Sequence, residues 1–163
     1  MPPDAREQLI AQLQAAIGTR YVLHRHEELM LYEYDASTLD LAAPEIVVVP
    51  ASTAEVVRVV DIAAAAGWPV VARGAGTGLS GGSVPAAGGV VVSLARLNQV
   101  LKIDPVARRA VVQPGVVNVD LSAAAAPYQL HFAPDPSSQR SSTVGGNAAE
   151  NAGGPHCLKY GIT

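Results

Sequence analysis

The apolar residues near the start of the chain recur with the period of a helix. Three of them share one helical face: Leu9, Leu13 and Ile17. This spacing predicts a packing helix over residues 4–17, with Asp4 able to cap its start and Gly18 able to end it. Residues 19–45 have a less regular pattern, and we assign no element to them.

Two short apolar runs flank a second helical pattern, and together they predict a β-α-β unit. The run at 46–49 has the pattern of a buried strand that Pro50 ends, and 69–72 has the pattern of the next strand. Ser52 and Glu55 lie between them at the spacing of a capping box. Apolar residues at helical spacing and a closing glycine follow the cap: Val56, Val59, Val60, Ala63 and Gly67. Such a unit has parallel strands and a right-handed crossover.

The second strand of this unit runs into a loop, residues 70–83, that is dense in glycine. Its glycines are Gly74, Gly76, Gly78, Gly81 and Gly82. A strand that breaks into so many glycines exposes backbone N–H groups with no side chains in the way. Such a loop can wrap an anion, most often a phosphate. The alternative is a glycine-rich turn that only lets two strands pack closely.

The spacing of the glycines at 76–81 matches the dinucleotide-binding fingerprint of Rossmann domains, but its surroundings argue against that class. A Rossmann loop opens a helix, and an acidic residue follows about 20 residues later at the end of the next strand. Pro85 and two further glycines follow here instead, and the next apolar run, 90–92, ends in Ser93. No Walker phosphate-binding sequence occurs in the chain. The loop therefore predicts phosphate binding in another fold.

Strands dominate over alternating strand and helix units after residue 90. Short apolar runs at 90–94, 100–104 and 110–113 predict strands, with a turn between the last two. Residues 118–126 predict a helix that Pro127 ends. This change of pattern indicates an α+β fold.

The last stretch of the chain, residues 131–163, is dense in glycine, proline, serine and asparagine. Residues 133–138 predict an extended, turn-rich loop. Residues 142–147 and 151–154 hold two glycine pairs beside hydroxyl and amide side chains that can hydrogen-bond a ligand. A surface linker could share this composition, but apolar residues lie among the glycines. We therefore predict ordered, ligand-facing loops here.

Composition and charge narrow the classes of function. The chain has 163 residues, 49% hydrophobic and 15% charged, which fits one folded domain and argues against disorder. A net charge of −3 without a basic cluster argues against nucleic acid and anionic membrane surfaces as partners. Cys157 is the single cysteine, so no internal disulfide can form, and we expect a cytoplasmic protein. The first residues lack the pattern of a signal peptide, and no uncharged apolar run approaches the ~18 residues of a membrane-spanning helix.

Three linked motifs narrow the interpretation of the glycine-rich loops. They are R-G-A-G-T-G-L-S-G-G at 73–82, P-D-P-S-S at 134–138 and S-T-V-G-G-N-A-A-E-N-A-G-G at 142–154, followed by K-Y-G at 159–161. In this order they resemble the FAD-binding domain of the vanillyl-alcohol-oxidase type, also called the PCMH type. Within that family they look most like the branch of glycolate oxidase FAD-binding subunits and D-lactate dehydrogenases. The likeness runs from about residue 32 to the end of the chain.

The resemblance implies an FAD domain of two subdomains with the cofactor between them. The first, a small parallel sheet with helices and the pyrophosphate loop, would match 46–89, after a helix and lead-in over 1–45. The second, an antiparallel sheet, would begin with the strands of 90–113 and occupy 90–163. The chain stops without closing a helix or forming a polar tail, so we expect it to be the N-terminal piece of a longer protein.

The resemblance also implies which residues contact FAD. The first loop would hold the pyrophosphate by its backbone N–H groups, and Arg73 would either add charge near the phosphates or form a structural ion pair. The second and third motifs would line the flavin and the ribityl chain. The implied contacts are Arg73, Gly74, Ala75, Gly76, Thr77, Gly78, Leu79, Ser80, Gly81, Pro134, Asp135, Ser137, Ser138, Thr143, Gly145, Gly146, Asn147, Asn151, Gly153, Gly154 and Tyr160.

By the same resemblance, FAD is expected to bind without a covalent bond. Some relatives attach FAD through a histidine in the first loop, and no histidine occurs between Arg73 and Pro85. Other relatives add a cysteine just before the T-V-G stretch, where this chain has Ser141 and Ser142.

The sequence assigns no catalytic residue and no metal site. In the family, most catalytic and substrate-binding groups belong to a C-terminal cap domain that this chain does not reach. His156 and Lys159 are the candidates for the substrate side of the flavin, and each fits a structural role better. His24 and His26 would share a face if they lay on a strand, but no third ligand candidate is nearby.

The implied function is the FAD-binding portion of a flavin-dependent dehydrogenase or oxidase of D-2-hydroxy acids, of the glycolate or D-lactate type. Hydride would pass from the substrate to the flavin, and the chain alone is expected to be inactive. The implied partners are a small 2-hydroxy acid, an electron acceptor, and iron–sulfur and second flavin-domain subunits that could bring the protein to a membrane surface. The alternative is a stand-alone module that binds FAD or another nucleotide without catalysis.

Overall fold

The computed structural model describes residues 3–163, with side chains from residue 5 onward. It divides into two compact units, Met1–Arg96 and Leu97–Thr163, and each contains its own sheet. Parallel and antiparallel pairs both occur, so the α+β class is confirmed. The cap predicted at Asp4 falls outside the described side chains.

The first unit is a four-stranded sheet with helices. Its strands are β1 (Val22–Leu23), β2 (Ile46–Val48), β3 (Val70–Arg73) and β4 (Val90–Ser93), and its helices are α1 (Pro3–Ile17), α2 (His26–Leu29) and α3 (Thr53–Ala65), with 3₁₀ turns at Thr19–Tyr21 and Met30–Tyr32. The strand order is β1-β2-β4-β3, with β1 antiparallel and the other three strands parallel. The predicted β-α-β unit is therefore present, although β4 lies between its two strands.

Apolar side chains cover both faces of this sheet. On one face, Ile46 and Val48 of β2 pack with the buried residues of α1 and α3. On the other face, Val47 packs with Val91 and with Leu29 of α2. Burial on both sides explains why the central strands are continuous apolar runs without alternation.

Both ends of α3 use the local signals that the sequence contains. Ser52 Oγ accepts a hydrogen bond from Glu55 N at 3.2 Å, while Glu55 Oε2 accepts one from Ala51 N at 2.7 Å. The helix ends at Ala65, and Gly67 follows its C-cap with a φ of 71°, in the left-handed region. Trp68 N then donates to the carbonyl five residues back, the closing bond of a Schellman motif.

The position of β4 corrects one prediction. Val90–Ser93 was expected to begin the antiparallel sheet, but it pairs in parallel with β2 through Ile46↔Val90 and with β3 through Val70↔Val90. The connection from β3 to β4 is the glycine-rich loop and contains no helix, so the usual sequence signal of a parallel crossover is missing. Burial of every residue of β4 decides its central place in the sheet.

The second unit contains a hairpin and three short helices. Its strands are β5 (Val100–Asp104) and β6 (Arg109–Val112), and its helices are α4 (Asn118–Ala125), α5 (Val144–Glu150) and α6 (Cys157–Tyr160), with a 3₁₀ turn at Ala126–Tyr128. The strands pair antiparallel, as predicted, and Asp104 Oδ1 accepts a hydrogen bond from Ala107 N in the turn. The predicted helix at 118–126 is confirmed to within a residue.

Helix α5 corrects the prediction of loops over 142–147. Thr143 caps the helix, because its Oγ1 accepts a hydrogen bond from Gly146 N at 3.2 Å. Gly145 N donates to Pro114 O at 2.8 Å, and a Cβ at Gly145 would lie 2.6 Å from Pro114 Cβ. The glycine pair thus serves close packing of a helix start against Pro114, where the glycine content had indicated a loop.

Two absences apply to the part of the chain that the structure describes. Within residues 3–163, no helix has both the length and the apolar character needed to cross a membrane. Over the same residues, no three His, Cys, Asp or Glu side chains gather where they could hold a metal ion. His26 lies in α2, so it does not share a strand face with His24.

Candidate functional site

The loop that follows β3 exposes a row of unpaired backbone donors. Within residues 3–163, the N–H groups of the six residues 74–79 make no hydrogen bond to any protein acceptor. Gly76 and Gly81 have φ values of 68° and 75°, in the left-handed region that favours glycine. Successive N–H groups around such turns form a concave donor surface that suits an anion.

Gly76 must be glycine for a second reason besides its φ value. A Cβ atom at this position would overlap the guanidinium group of Arg73, with only 2.7 Å to Arg73 Cζ. The loop and the arginine are therefore packed against each other. A side chain at residue 76 would displace the arginine before it reached any bound anion.

Arg73 lies beneath the loop, and 7% of its surface is exposed. Its Nη1 donates to Ser83 Oγ at 3.3 Å, and the guanidinium carbon lies 5.6 Å from the centre of the Tyr32 ring. Burial lowers the pKa of this guanidinium from its usual value, although the nearby Tyr32 and Asp35 act in the opposite direction. The positive charge is thus held under the donor row by neutral partners and by the field of one carboxylate.

Asp35 is a buried residue at this loop that the sequence analysis missed. Its exposed fraction is 2%, and its Oδ2 accepts a hydrogen bond from Gly81 N at 2.8 Å. Its Oδ1 accepts from Ser37 N at 2.9 Å and from Ser37 Oγ at 2.6 Å. The side-chain bond from Ser37 is the largest cause that holds the pKa of Asp35 below its usual value. The D-x-S spacing of an Asx turn was the available signal, but it gave no hint of Gly81.

In the second unit, Asp135 of the P-D-P-S-S motif forms a pair with His156. The His156 Nδ1 and Asp135 Oδ2 atoms are 2.5 Å apart, and the side chain of His156 is exposed. This contact is the main cause that lowers the pKa of Asp135. A Cβ atom on Gly154 would collide with the backbone and side chain of Asp135, so glycine is required where the two segments touch.

Asn118, a second residue that the sequence analysis missed, fixes the position of the same motif. Its side chain is buried, and its Nδ2 donates to Pro134 O at 2.9 Å. Its backbone N donates to Ser142 O at 3.0 Å. One asparagine at the start of α4 therefore holds two of the predicted cofactor segments, and its sequence surroundings gave no sign of this.

Two buried polar atoms near the start of α5 have no hydrogen-bond partner in the described structure: Asn147 Nδ2 and Ser142 Oγ. Asn147 is 3% exposed and Ser142 is 3% exposed. A buried, unsatisfied amide is costly, so it usually marks a place where another group binds. The sequence analysis had named Asn147 as a cofactor contact.

The remaining predicted residues of the second unit have varied surroundings. Asn151 takes the left-handed conformation with a φ of 56° and ends α5. Ser138 O accepts hydrogen bonds from two later backbone N–H groups, whereas Ser137 is exposed. Gly153 packs near Ile162, 3.3 Å from where its Cβ would lie. Tyr160 is half exposed, and its ring makes an edge contact with His131 at 6.3 Å.

In the first unit, a parallel strand runs into a row of free N–H groups over a buried arginine, an arrangement in an α/β sheet that suits a phosphate. The second unit adds an antiparallel hairpin and loops with unsatisfied polar atoms. A family model described as "FAD binding domain" matches residues 44–163, about three quarters of the chain. The chain belongs to this family of FAD-binding domains.

Curated relatives extend the match over the whole chain. Glycolate oxidase subunit GlcD of Escherichia coli is 45% identical over 163 residues, which is 100% of this chain and 33% of that protein. D-lactate dehydrogenase of Anaerostipes hadrus is 40% identical over 85% of this chain and 27% of that protein. The chain thus spans about a third of the length of the relatives it matches.

Solved structures show the same fold. A 4-ethylphenol oxidase from Gulosibacter chungangensis superimposes with a TM-score of 0.83 at 30% identity, over 94% of this chain and 30% of that one. An alkyldihydroxyacetonephosphate synthase superimposes with a TM-score of 0.87 at 24% identity, over 96% of this chain and 34% of that one, which supports the fold alone. The predicted PCMH-type fold is confirmed.

The residues present fit FAD in each unit by a separate observation. In the first unit, the unpaired N–H groups of 74–79 suit a pyrophosphate, which has acceptors only. In the second unit, Asn147 Nδ2 is a buried donor without a partner, and the flavin and ribityl groups offer acceptors and hydroxyls. FAD, when bound, supplies a ring that exchanges two electrons with a substrate.

Proposed function

We propose that this chain is the FAD-binding part of a flavin-dependent dehydrogenase or oxidase of D-2-hydroxy acids, of the glycolate or D-lactate type. The observation that carries the proposal is the row of six unpaired N–H groups at 74–79. Identity of 45% to a glycolate oxidase subunit over the full chain supports the substrate class. Matches to D-lactate and D-2-hydroxyglutarate dehydrogenases support the same class of acids.

In this proposal the first loop holds the FAD pyrophosphate by backbone contacts. Several N–H dipoles point at one anion, and the buried charge of Arg73 adds positive potential beneath them. Gly81 contributes differently from its neighbours, because its N–H already donates to Asp35. Its part is to form the turn that presents residues 74–79.

The loops of the second unit contact the flavin and the ribityl chain in this proposal. Asn147 donates from its buried Nδ2, and Ser142 offers its buried hydroxyl. Asn118 holds the carbonyl of Pro134, which keeps the P-D-P-S-S segment in place. FAD binds without a covalent bond, since Ser141 and Ser142 stand where some relatives have a cysteine and the first loop lacks histidine.

We also propose that the protein works in an assembly. Several matched relatives are named as subunits of glycolate oxidase. Partner subunits with iron–sulfur or second flavin domains would take electrons onward to an acceptor. A cytoplasmic protein that reaches a membrane surface only through such partners fits the lack of a spanning helix within residues 3–163.

The test uses the protein expressed from its complete reading frame. Purified protein should contain about one FAD per chain, and acid precipitation should release all of it into the supernatant. Glycolate, D-lactate or D-2-hydroxyglutarate should bleach the flavin and reduce a dye, whereas L-lactate should not. Flavin left in the acid pellet would contradict non-covalent binding. Bound flavin that none of the acids reduces would favour the stand-alone binding module instead.

A further inference from the structure

We propose that Asp35 is a positioning residue that holds the glycine-rich loop in its FAD-binding conformation. The proposal rests on the proposed function, because it assumes that residues 74–79 receive the FAD pyrophosphate. Within the described residues, the side-chain oxygens of Asp35 bond to Gly81 N and to Ser37 and to none of the N–H groups of 74–79. Its effect on FAD must therefore pass through the shape of the loop.

The segment of Asp35 holds the loop at two points. Gly81 N donates to Asp35 Oδ2 at 2.8 Å, and Ala36 N donates to Gly78 O at 3.1 Å. These bonds satisfy one carbonyl and one N–H at the far end of the loop, while the N–H groups of 74–79 make no hydrogen bond within residues 3–163. Without the two bonds, the loop could turn its own carbonyls towards its N–H groups and remove the donor surface.

A carboxylate is required at position 35, and an amide cannot replace it. Three donors converge on the side chain, two on Oδ1 and one on Oδ2. Asparagine has one acceptor oxygen, so its NH₂ group would face either Gly81 N or the donors of Ser37. Asp35→Asn must therefore break one side of the arrangement while it changes the side-chain volume very little.

The charge of Asp35 is also compensated, which allows a carboxylate to lie buried beside an anion site. Arg73 interacts favourably with it, and the three hydrogen bonds favour its ionised form. These partners offset the negative charge of Asp35, so it does not cancel the attraction of the N–H groups at 74–79 for an anion.

The experiment compares two carboxylates near the same glycine. Asp40 Oδ2 lies 3.8 Å from where a Gly81 Cβ would be, yet within residues 3–163 Asp40 makes no hydrogen bond to the loop. In the protein from its complete reading frame, Asp35→Asn should raise the dissociation constant of FAD about tenfold or more, and Asp40→Asn should change it less than about twofold. Ser37→Ala should have a smaller effect than Asp35→Asn, because it leaves the bond to Gly81 in place.

Two further measurements separate positioning from general destabilisation and from failure of the proposed function. In Asp35→Asn, the melting temperature of the FAD-free protein should change little, although the affinity for FAD falls. Amide exchange of the FAD-free wild type should be slow at Gly81 and fast at 76–79, which tests the proposal even where the variant does not fold. Equal FAD affinity of Asp35→Asn and wild type, or fast exchange at Gly81, overturns the role of Asp35. A wild type that binds no FAD overturns the proposed function instead.

Discussion

The two glycine-rich regions of this chain have similar compositions and opposite uses of glycine. In the first unit, the N–H groups of 74–79 make no hydrogen bond within the described residues, and glycine allows left-handed turns at Gly76 and Gly81. In the second unit, Gly145 and Gly146 lie in α5, and their N–H groups are already bonded to Pro114 O and Thr143 Oγ1. The buried polar groups left without a partner there are side-chain atoms, Asn147 Nδ2 and Ser142 Oγ.

This difference teaches that glycine density alone does not reveal how a ligand is held. A backbone site needs glycine because several N–H groups must approach one anion closely. A side-chain site needs glycine so that the element carrying the side chain can pack closely, as α5 does against Pro114. A backbone site should lose its ligand when the shape of its loop changes. A side-chain site should lose its ligand when a single polar side chain is removed.

The largest effect is expected from Gly76→Val, which breaks the backbone site. The φ of 68° disfavours a β-branched residue, and its Cβ would displace Arg73. FAD binding should be lost, by about a hundredfold or more in dissociation constant. Flavin retained by the purified protein and titration with FAD measure this. Gly82→Val is the control, because Gly82 belongs to the same loop but is exposed and does not have a positive φ. Equal losses in both variants would contradict a site that depends on loop shape.

An intermediate effect is expected from a matched pair of buried asparagines in the second unit. Asn118 Nδ2 is bonded to Pro134 O, whereas Asn147 Nδ2 has no partner in the described structure. Asn118→Leu should lower the free energy of unfolding of the FAD-free protein by about 1–3 kcal/mol, because it leaves a carbonyl unpaired. Asn147→Leu should leave it unchanged or slightly higher, and should weaken FAD binding about tenfold.

Denaturant unfolding and FAD titration distinguish the two asparagines. If a side chain holds FAD in the second region, the two variants must rank differently in the two measurements. Asn118→Leu should cause the larger loss of stability, and Asn147→Leu should cause the larger loss of FAD affinity. If Asn147→Leu destabilised the FAD-free protein as much as Asn118→Leu does, Asn147 would be a structural residue and the contrast between the regions would fail.

The smallest effect is expected from the pair of half-buried Asp135 and exposed His156. The pKa of Asp135 is held below its usual value chiefly by its hydrogen bond from His156. His156→Ala should therefore raise the pKa of Asp135 towards the ordinary value of an aspartate. Because a lowered carboxyl pKa stabilises the fold above its unfolded-state pKa, the lost stability should appear only above about pH 4 and vanish in acid. NMR titration of the Asp135 carboxyl carbon in the wild type and the variant measures the shift. An unmoved Asp135 midpoint would show that the pair does not form in solution.

The sequence by itself determined the elements whose signals are local. The cap at Ser52, the end at Gly67, the hairpin of β5 and β6, and the helix before Pro127 each depend on residues a few positions apart. The glycine-rich loop was also recognisable, since closely spaced glycines directly after a strand indicate an exposed backbone. The three motifs indicate the family by themselves, because their order and spacing are specific.

Only the tertiary structure decided which distant groups meet. Asp35 reaches Gly81 across 46 residues, and Asn118 reaches Pro134 across 16. The place of β4 was mispredicted because no helix precedes it, and its burial between two parallel strands decides its position. The helical state of α5 was mispredicted because contact with Pro114 overrode the local glycine content. Local sequence encodes the tendency of a segment to form a helix, strand or turn. Which distant groups form a buried hydrogen bond, and which strand lies in the centre of a sheet, depends on the unpaired groups and exposed apolar faces of the rest of the fold.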